Sequence, residues 1–154
     1  MAALTFNVRK QNLFDLAYEG YWLAHCVSAD LAMGAGIATQ FVKIFDERRL
    51  LKEKYPKALQ LFDKTGFSLF VDSGNCIYNL VTKKYFYQKP TYDSLEGSLH
   101  LMRRSIDRRG VSKLAMPKIG CGLDRLDWKI VKAMITRVLD NPPKDLEVTV
   151  CVLS

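Results

Sequence analysis

Twice in this chain a short apolar run gives way to a Gly-x-Gly turn and then to residues with helical spacing. The first run, residues 21–28, leads to Met33-Gly34-Ala35-Gly36-Ile37, and the second, residues 111–116, leads to Ile119-Gly120-Cys121-Gly122-Leu123. A chain that alternates strand and helix in this way packs helices against a sheet, as in α/β proteins. It also sets each glycine turn at a strand end, where open α/β sheets hold their ligands.

The remaining pattern completes the sheet. Residues 5–9 read as a first strand and residues 37–45 as a helix with Ile37, Phe41, Ile44 and Phe45 at helical spacing. A more charged helix follows over residues 47–55, ending before Pro56. The apolar runs 67–71 and 76–82 flank Asp72-Ser73-Gly74-Asn75, which predicts an antiparallel hairpin because Gly and Asn tolerate positive φ. Thr91 is placed to cap a long helix carrying Leu95, Leu99, Met102 and Ile106, and Gly110 to end it. A further helix has Ile130, Val131, Met134, Ile135 and Val138 on its apolar side, and residues 147–153 form the last strand. The sum is a mixed sheet between helices. No repeat or low-complexity tract appears, and Asn141-Pro142-Pro143 is too short to link domains, so residues 1–154 read as one domain.

Composition narrows the function classes. With 49% hydrophobic and 25% charged residues the chain can bury a core, and no apolar run approaches the roughly 20 residues of a membrane span, so a soluble intracellular protein is expected. Cys26, Cys76, Cys121 and Cys151 stand far apart and read as reduced thiols. Only His25 and His100 are present, which excludes metal sites built from several imidazoles. The 23 Lys and Arg against 16 Asp and Glu, a net charge of +7, favour a polyanionic partner such as nucleic acid or another phosphate-rich polymer.

The glycine turns suit phosphate. Without a Cβ the backbone approaches an anion closely, while unpaired N–H groups and the positive end of the following helix point at it. Either turn alone equally well reads as a strand terminator that permits tight helix packing. The pair reads as a grip on two adjacent phosphates, hence a diphosphate ligand. Residues 34–39 lack the third glycine of the dinucleotide fingerprint and no Gly-Lys-Ser or Gly-Lys-Thr exists, so hydride transfer and nucleoside triphosphate hydrolysis drop out.

Thr82-Lys83-Lys84 falls where an apolar strand ends, and strand alternation sends the two lysines to opposite faces. A lysine in a cleft acts as a nucleophile once deprotonated, which burial promotes and a neighbouring carboxylate opposes. Asp124, directly after the second glycine turn, reads either as a helix cap or as a base. If it shares a cleft with Lys83, the two form a pair able to work on an electrophilic carbon such as the anomeric carbon of a ribose ester.

The segments Leu23-Ala24-His25-Cys26-Val27-Ser28, residues 33–38, Thr82-Lys83-Lys84 with Lys89-Pro90-Thr91-Tyr92, and Met116-Pro117-Lys118-Ile119-Gly120-Cys121-Gly122-Leu123-Asp124-Arg125-Leu126 together resemble macrodomains, in particular those that act as glycohydrolases. The resemblance runs from about residue 5 to residue 153. It implies a three-layer α/β/α fold with a central mixed sheet that binds ADP-ribose without metal or cofactor. It implies that Lys83 attacks the anomeric carbon of the distal ribose to form a covalent adduct while Asp124 handles protons. The ligand-binding positions it implies are Asn12, Leu13, Ser28, Gly34, Ala35, Gly36, Ile37, Thr82, Pro117, Ile119, Gly120, Cys121, Gly122, Leu123 and Leu153. The implied substrates are ADP-ribose esters on acidic side chains of proteins, O-acetyl-ADP-ribose and whole poly(ADP-ribose) chains. A monomer in the nucleus or cytoplasm is expected. A binding module for ADP-ribose or poly(ADP-ribose) without turnover, and a phosphatase acting on ADP-ribose 1-phosphate, are the alternatives.

One departure stands out. Related macrodomains carry Gly-Asp after the first strand, where the carboxylate accepts a bond from the adenine amino group, but this chain has Gln11-Asn12 before Leu13-Phe14. Asn12 offers only a neutral acceptor, or simply makes a turn. Tyr85-Phe86-Tyr87 is expected to pack against the body of the domain, and Arg103, Arg104, Arg108 and Arg109 to form a solvated helix face. Cys121 is expected to contribute its backbone and not its sulfur, for want of a partner base.

Overall fold

The computed structural model describes residues 2–153. Its centre is a six-stranded sheet in the order β1-β6-β5-β2-β4-β3, with β1 at Leu4–Lys10, β2 at Trp22–Ser28, β3 at Ser68–Asp72, β4 at Ile77–Lys83, β5 at Lys113–Met116 and β6 at Leu146–Val152. All neighbours are parallel except β3 and β4, the expected hairpin. The left-handed residue of that hairpin is Cys76 (φ 59°) and not Gly74 or Asn75. The reason is local: Asp72 accepts from the Asn75 backbone N–H at 3.1 Å and from its side-chain amide at 2.8 Å, which leaves the reversal to the next residue.

Six helices cover the sheet: α1 at Leu13–Ala17, α2 at Ala38–Phe45, α3 at Glu47–Lys54, α4 at Ala58–Thr65, α5 at Tyr92–Arg109 and α6 at Trp128–Leu139. Strand alternation divides the apolar side chains between two cores. Ala24, Tyr78, Leu80, Leu114, Met116, Val148 and Val150 face α5 and α6. Leu23, Ile77, Val81 and Ala115 face α1 to α4. The result is the three-layer α/β/α arrangement with a mixed sheet.

The capping signals around α5 act as their chemistry dictates. Thr91 accepts from Ser94 N–H at 3.0 Å, Ser94 Oγ accepts from Thr91 N–H at 3.1 Å, and Gly110 closes the helix at φ 69°. Two further helices carry local signals too weak to show in the sequence. Helix α1 is little more than one turn, and the N-cap of α4, Lys57, makes no side-chain hydrogen bond. Ile44 and Ile130 were expected on apolar faces but are exposed. Ile130 sits about 100° around the helix from Val131, outside the stripe that meets the sheet.

Of the arginines of α5, Arg104, Arg108 and Arg109 are exposed as expected, and Arg103 departs from the solvated face. Arg103 donates to the carbonyls of Val138, Asp140 and Asn141 at 2.7–2.9 Å, satisfying the open end of α6. Arg109 lies over the Trp22 ring at 5.6 Å.

Gly97 of α5 holds Phe67 against the helix: a Cβ there would stand 2.4 Å from the Phe67 ring. Gly97→Ala is therefore expected to lower stability by roughly 1–3 kcal/mol through overpacking, against a helix-propensity gain of about 1 kcal/mol. A thermal unfolding midpoint several degrees below that of the wild type checks this.

Candidate active site

Because β2, β4 and β5 run parallel, their carboxyl ends lie at one edge of the sheet, and the segments that leave them enclose a cavity of about 650 Å³. That volume suits a small-molecule ligand of nucleotide size. Residues 32–38 form one wall and residues 117–120 with 122–124 another. The two walls meet where Gly36 (φ 60°) faces Leu123, since a Cβ on Gly36 would stand 3.4 Å from Leu123 Cδ1. Gly120, also left-handed at φ 72°, lies against Leu126.

The backbone N–H groups of Gly34, Ala35, Gly36 and Ile37 donate to no protein acceptor among the described residues. Four unspent donors beside the start of α2 make a ready anion site. The loop carrying them is held firmly. The Asp30 carboxylate accepts from Ser28 Oγ, from Ala32 N–H at 3.1 Å and from Phe86 N–H at 3.0 Å. Arg48 of α3 donates to the carbonyls of Ala32 at 2.9 Å and Met33 at 3.2 Å. These bonds hold Leu31 (φ 55°) and Met33 (φ 48°) in the left-handed region that non-glycine residues rarely adopt.

Lys83 and Asp124 meet in this cavity. Lys83 Nζ donates to Asp124 Oδ1 at 2.8 Å, with 15% and 16% of the two side chains exposed. Lys84, the next residue along β4, turns the other way and pairs with Asp63 at 2.9 Å. The proximity that spacing alone left open is thus present. Lys89 fixes the loop before Asp124 by donating to the Leu123 carbonyl at 2.7 Å.

The cysteines near the cavity are poor nucleophiles. Burial pushes the Cys26 thiol up to about 12 and the Cys121 thiol up to about 11, and Cys121 Sγ contacts the Ile119 carbonyl at 3.2 Å.

Residues 24–135 match the Macro domain family. The chain belongs to that family. The macrodomain is 42% identical over 131 residues to the human ADP-ribose glycohydrolase OARD1, which spans 85% of this chain and 81% of that protein. Its fold is also that of solved structures. The macrodomain of Thermus aquaticus DarG superposes with a TM-score of 0.73 at 21% identity, covering 97% of this chain and 99% of that one. Thermosipho africanus DarTG in complex with ADP-ribose gives 0.72 at 17% identity, covering 97% and 42%.

Within the macrodomain, Ser28, Gly34, Ala35, Gly36, Ile37, Pro117, Ile119, Gly120, Gly122 and Leu123 line the cavity together with Lys83 and Asp124. Five expected ligand positions lie outside its lining. Asn12 is exposed and commits its amide oxygen to Phe14 N–H at 2.9 Å as the cap of α1. Leu13 and Thr82 are buried in the body of the domain. Leu153 is exposed beyond β6, and Cys121 is absent from the lining, packed instead against the core beneath α5 and α6.

Cys26, Val27, Ala32, Met33, Ala38, Phe86, Lys89 and Lys118 complete the lining; none is among the expected ligand positions, although all but Ala32 and Phe86 lie in the segments that carry the resemblance. Phe86 corrects an expectation: Phe86 and Tyr87 do not pack inward but stand 63% and 68% exposed. Their segment is a tight turn, with Tyr85 N–H donating to Gln88 Oε1 at 2.8 Å and Gln88 N–H to the Tyr85 carbonyl at 3.0 Å, and it projects the rings outward. Among the described residues no cluster of three or more His, Cys, Asp or Glu side chains could hold a metal ion.

Proposed function

We propose that this macrodomain is an ADP-ribosyl hydrolase that removes ADP-ribose from glutamate and aspartate esters and deacetylates O-acetyl-ADP-ribose. The observation that carries the reading is the 2.8 Å contact between Lys83 and Asp124 inside a cavity walled by two glycine turns. The resemblance to a named ADP-ribose glycohydrolase supports it, as does the ADP-ribose complex of a structural neighbour.

In this reading the free N–H groups of residues 34–37 hold the diphosphate and the distal ribose lies over Lys83. Lys83 passes a proton to Asp124, and its amine attacks the anomeric carbon. A C–N bond forms as the C–O bond to the ester breaks, and the carboxylate leaves with the bonding pair. Water then replaces the amine at the same carbon, Asp124 relays the protons, and Lys83 is restored. The preset geometry converts a bimolecular attack into one within a single complex.

The test is incubation with a peptide ester-linked to ADP-ribose through glutamate and, separately, with O-acetyl-ADP-ribose. Release of ADP-ribose from both is expected. Tight ADP-ribose binding without release would make the protein a binding module, and turnover confined to ADP-ribose 1-phosphate would make it a phosphatase.

A further inference from the structure

Resting on that hydrolase reading, we propose that Phe86, Tyr87 and Leu123 form an acceptor-side recognition surface for acidic protein segments with an apolar residue beside the modified carboxylate. Phe86 lies three residues beyond Lys83, and Leu123 immediately precedes Asp124, so apolar groups flank the reacting pair on both chain segments. Leu123 and Phe86, 64% and 63% exposed, both line the cavity, and the exposed Tyr87 ring stands against Phe86. Exposed apolar surface of this kind marks a contact with something else.

The surface is held in shape before any ligand arrives. Phe86 N–H is tied to Asp30 at 3.0 Å and the Leu123 carbonyl to Lys89 at 2.7 Å. A rim fixed by its backbone loses little freedom on binding.

Its charge selects the partner. Lys89, Lys118 and Arg125 have no carboxylate within ion-pair distance among the described residues. Nearby Asp124 is taken by Lys83, and Asp30 already accepts three bonds. An acidic segment supplies the missing carboxylates. Ring geometry favours a side chain over a nucleobase. Phe86 and Tyr87 stand at 83° to each other with centroids 5.5 Å apart, making a notch, and one face of Tyr87 is already covered by Tyr85, stacked at 5.7 Å. Single-stranded nucleic acid would want open parallel platforms.

The experiment measures kcat/KM on two peptides ADP-ribosylated at one glutamate, one with Leu and Asp beside it and the other with Gly and Lys, alongside O-acetyl-ADP-ribose. The expected wild-type preference for the acidic, apolar peptide is about tenfold. In Phe86→Ser/Tyr87→Ser, whose exposed side chains carry no core packing, the two peptides are expected to differ by less than about twofold. Hydrolysis of O-acetyl-ADP-ribose with no peptide preference would overturn this inference alone, as would a preference that survives in the double variant. Stronger inhibition by an unmodified oligonucleotide than by the unmodified acidic peptide would also overturn it. Failure to release ADP-ribose from every substrate would overturn the hydrolase reading and this inference with it.

Discussion

Lys83→Ala is expected to lower kcat for release of ADP-ribose from glutamate esters by at least about 10³-fold while the affinity for free ADP-ribose changes by less than about threefold. The asymmetry follows from where the groups sit. The proposed diphosphate donors are backbone N–H groups of residues 34–37, which the substitution leaves in place, whereas the other lysines nearby are engaged elsewhere: Lys84 pairs with Asp63, Lys89 donates to the Leu123 carbonyl and Lys118 lies over the Trp128 ring. Asp124→Asn keeps the shape and removes the proton acceptor, and a loss of roughly 10²–10³-fold is expected. Because the two side chains act as a unit, the double variant should be scarcely slower than Lys83→Ala. Single-turnover rates and calorimetric ADP-ribose titrations on the same preparations check all of this. A Lys83→Ala protein with wild-type turnover would remove the lysine from the chemistry.

The second large effect concerns stability. Behind the site, His25 Nε2 meets Asn79 Oδ1 at 2.6 Å, and the Asn79 amide donates to Glu47 Oε2 at 3.0 Å and to the Phe70 carbonyl at 3.1 Å. All three side chains are fully buried, and Glu47 Oε1 and His25 Nδ1 have no hydrogen-bond partner among the described residues. Burial, with Asp72 adding to it, pushes the Glu47 carboxyl up to about 8, while burial pushes His25 down to about 4.

The consequences run in opposite directions. The folded protein holds the Glu47 proton more tightly than the unfolded chain, so that contribution is complete below about 4.5 and is lost as the pH rises towards 8. The folded protein rejects a proton on His25, so that contribution is complete above 6.5 and is lost as the pH falls towards 4. Glu47→Gln removes only the alkaline loss. It is expected to be more stable than the wild type by roughly 4–5 kcal/mol at pH 9, with the gain falling below about 1 kcal/mol at pH 5. Urea unfolding at pH 5, 7 and 9 measures it. An equal gain at all three values would mean that Glu47 does not titrate across this range.

Which features could be read in advance follows from how far each depends on distant residues. Thr91 and Gly110 mark the ends of α5 because capping is settled within one turn of helix, and the strand before each glycine turn shows because apolar alternation and the break lie within a few residues. Helix α4 lacks a capping side chain and takes its apolar face from the sheet, so its own window says little. Phe86 was expected to pack inward because aromatic rings generally do. Its outward position depends on Asp30, which lies 56 residues earlier and grips its backbone.

The amino-acid order by itself determined the alternation of strands and helices, the two glycine turns and the residue types available for chemistry, since each is a property of a short stretch of backbone. Only the tertiary structure decided that Lys83 meets Asp124, 41 residues away, and that five expected ligand positions stand back from the cavity. The order β5-β2-β4 brings the ends of those strands together. That order is chosen by how whole faces of sheet and helix bury one another, a long-range balance of packing that no local window contains.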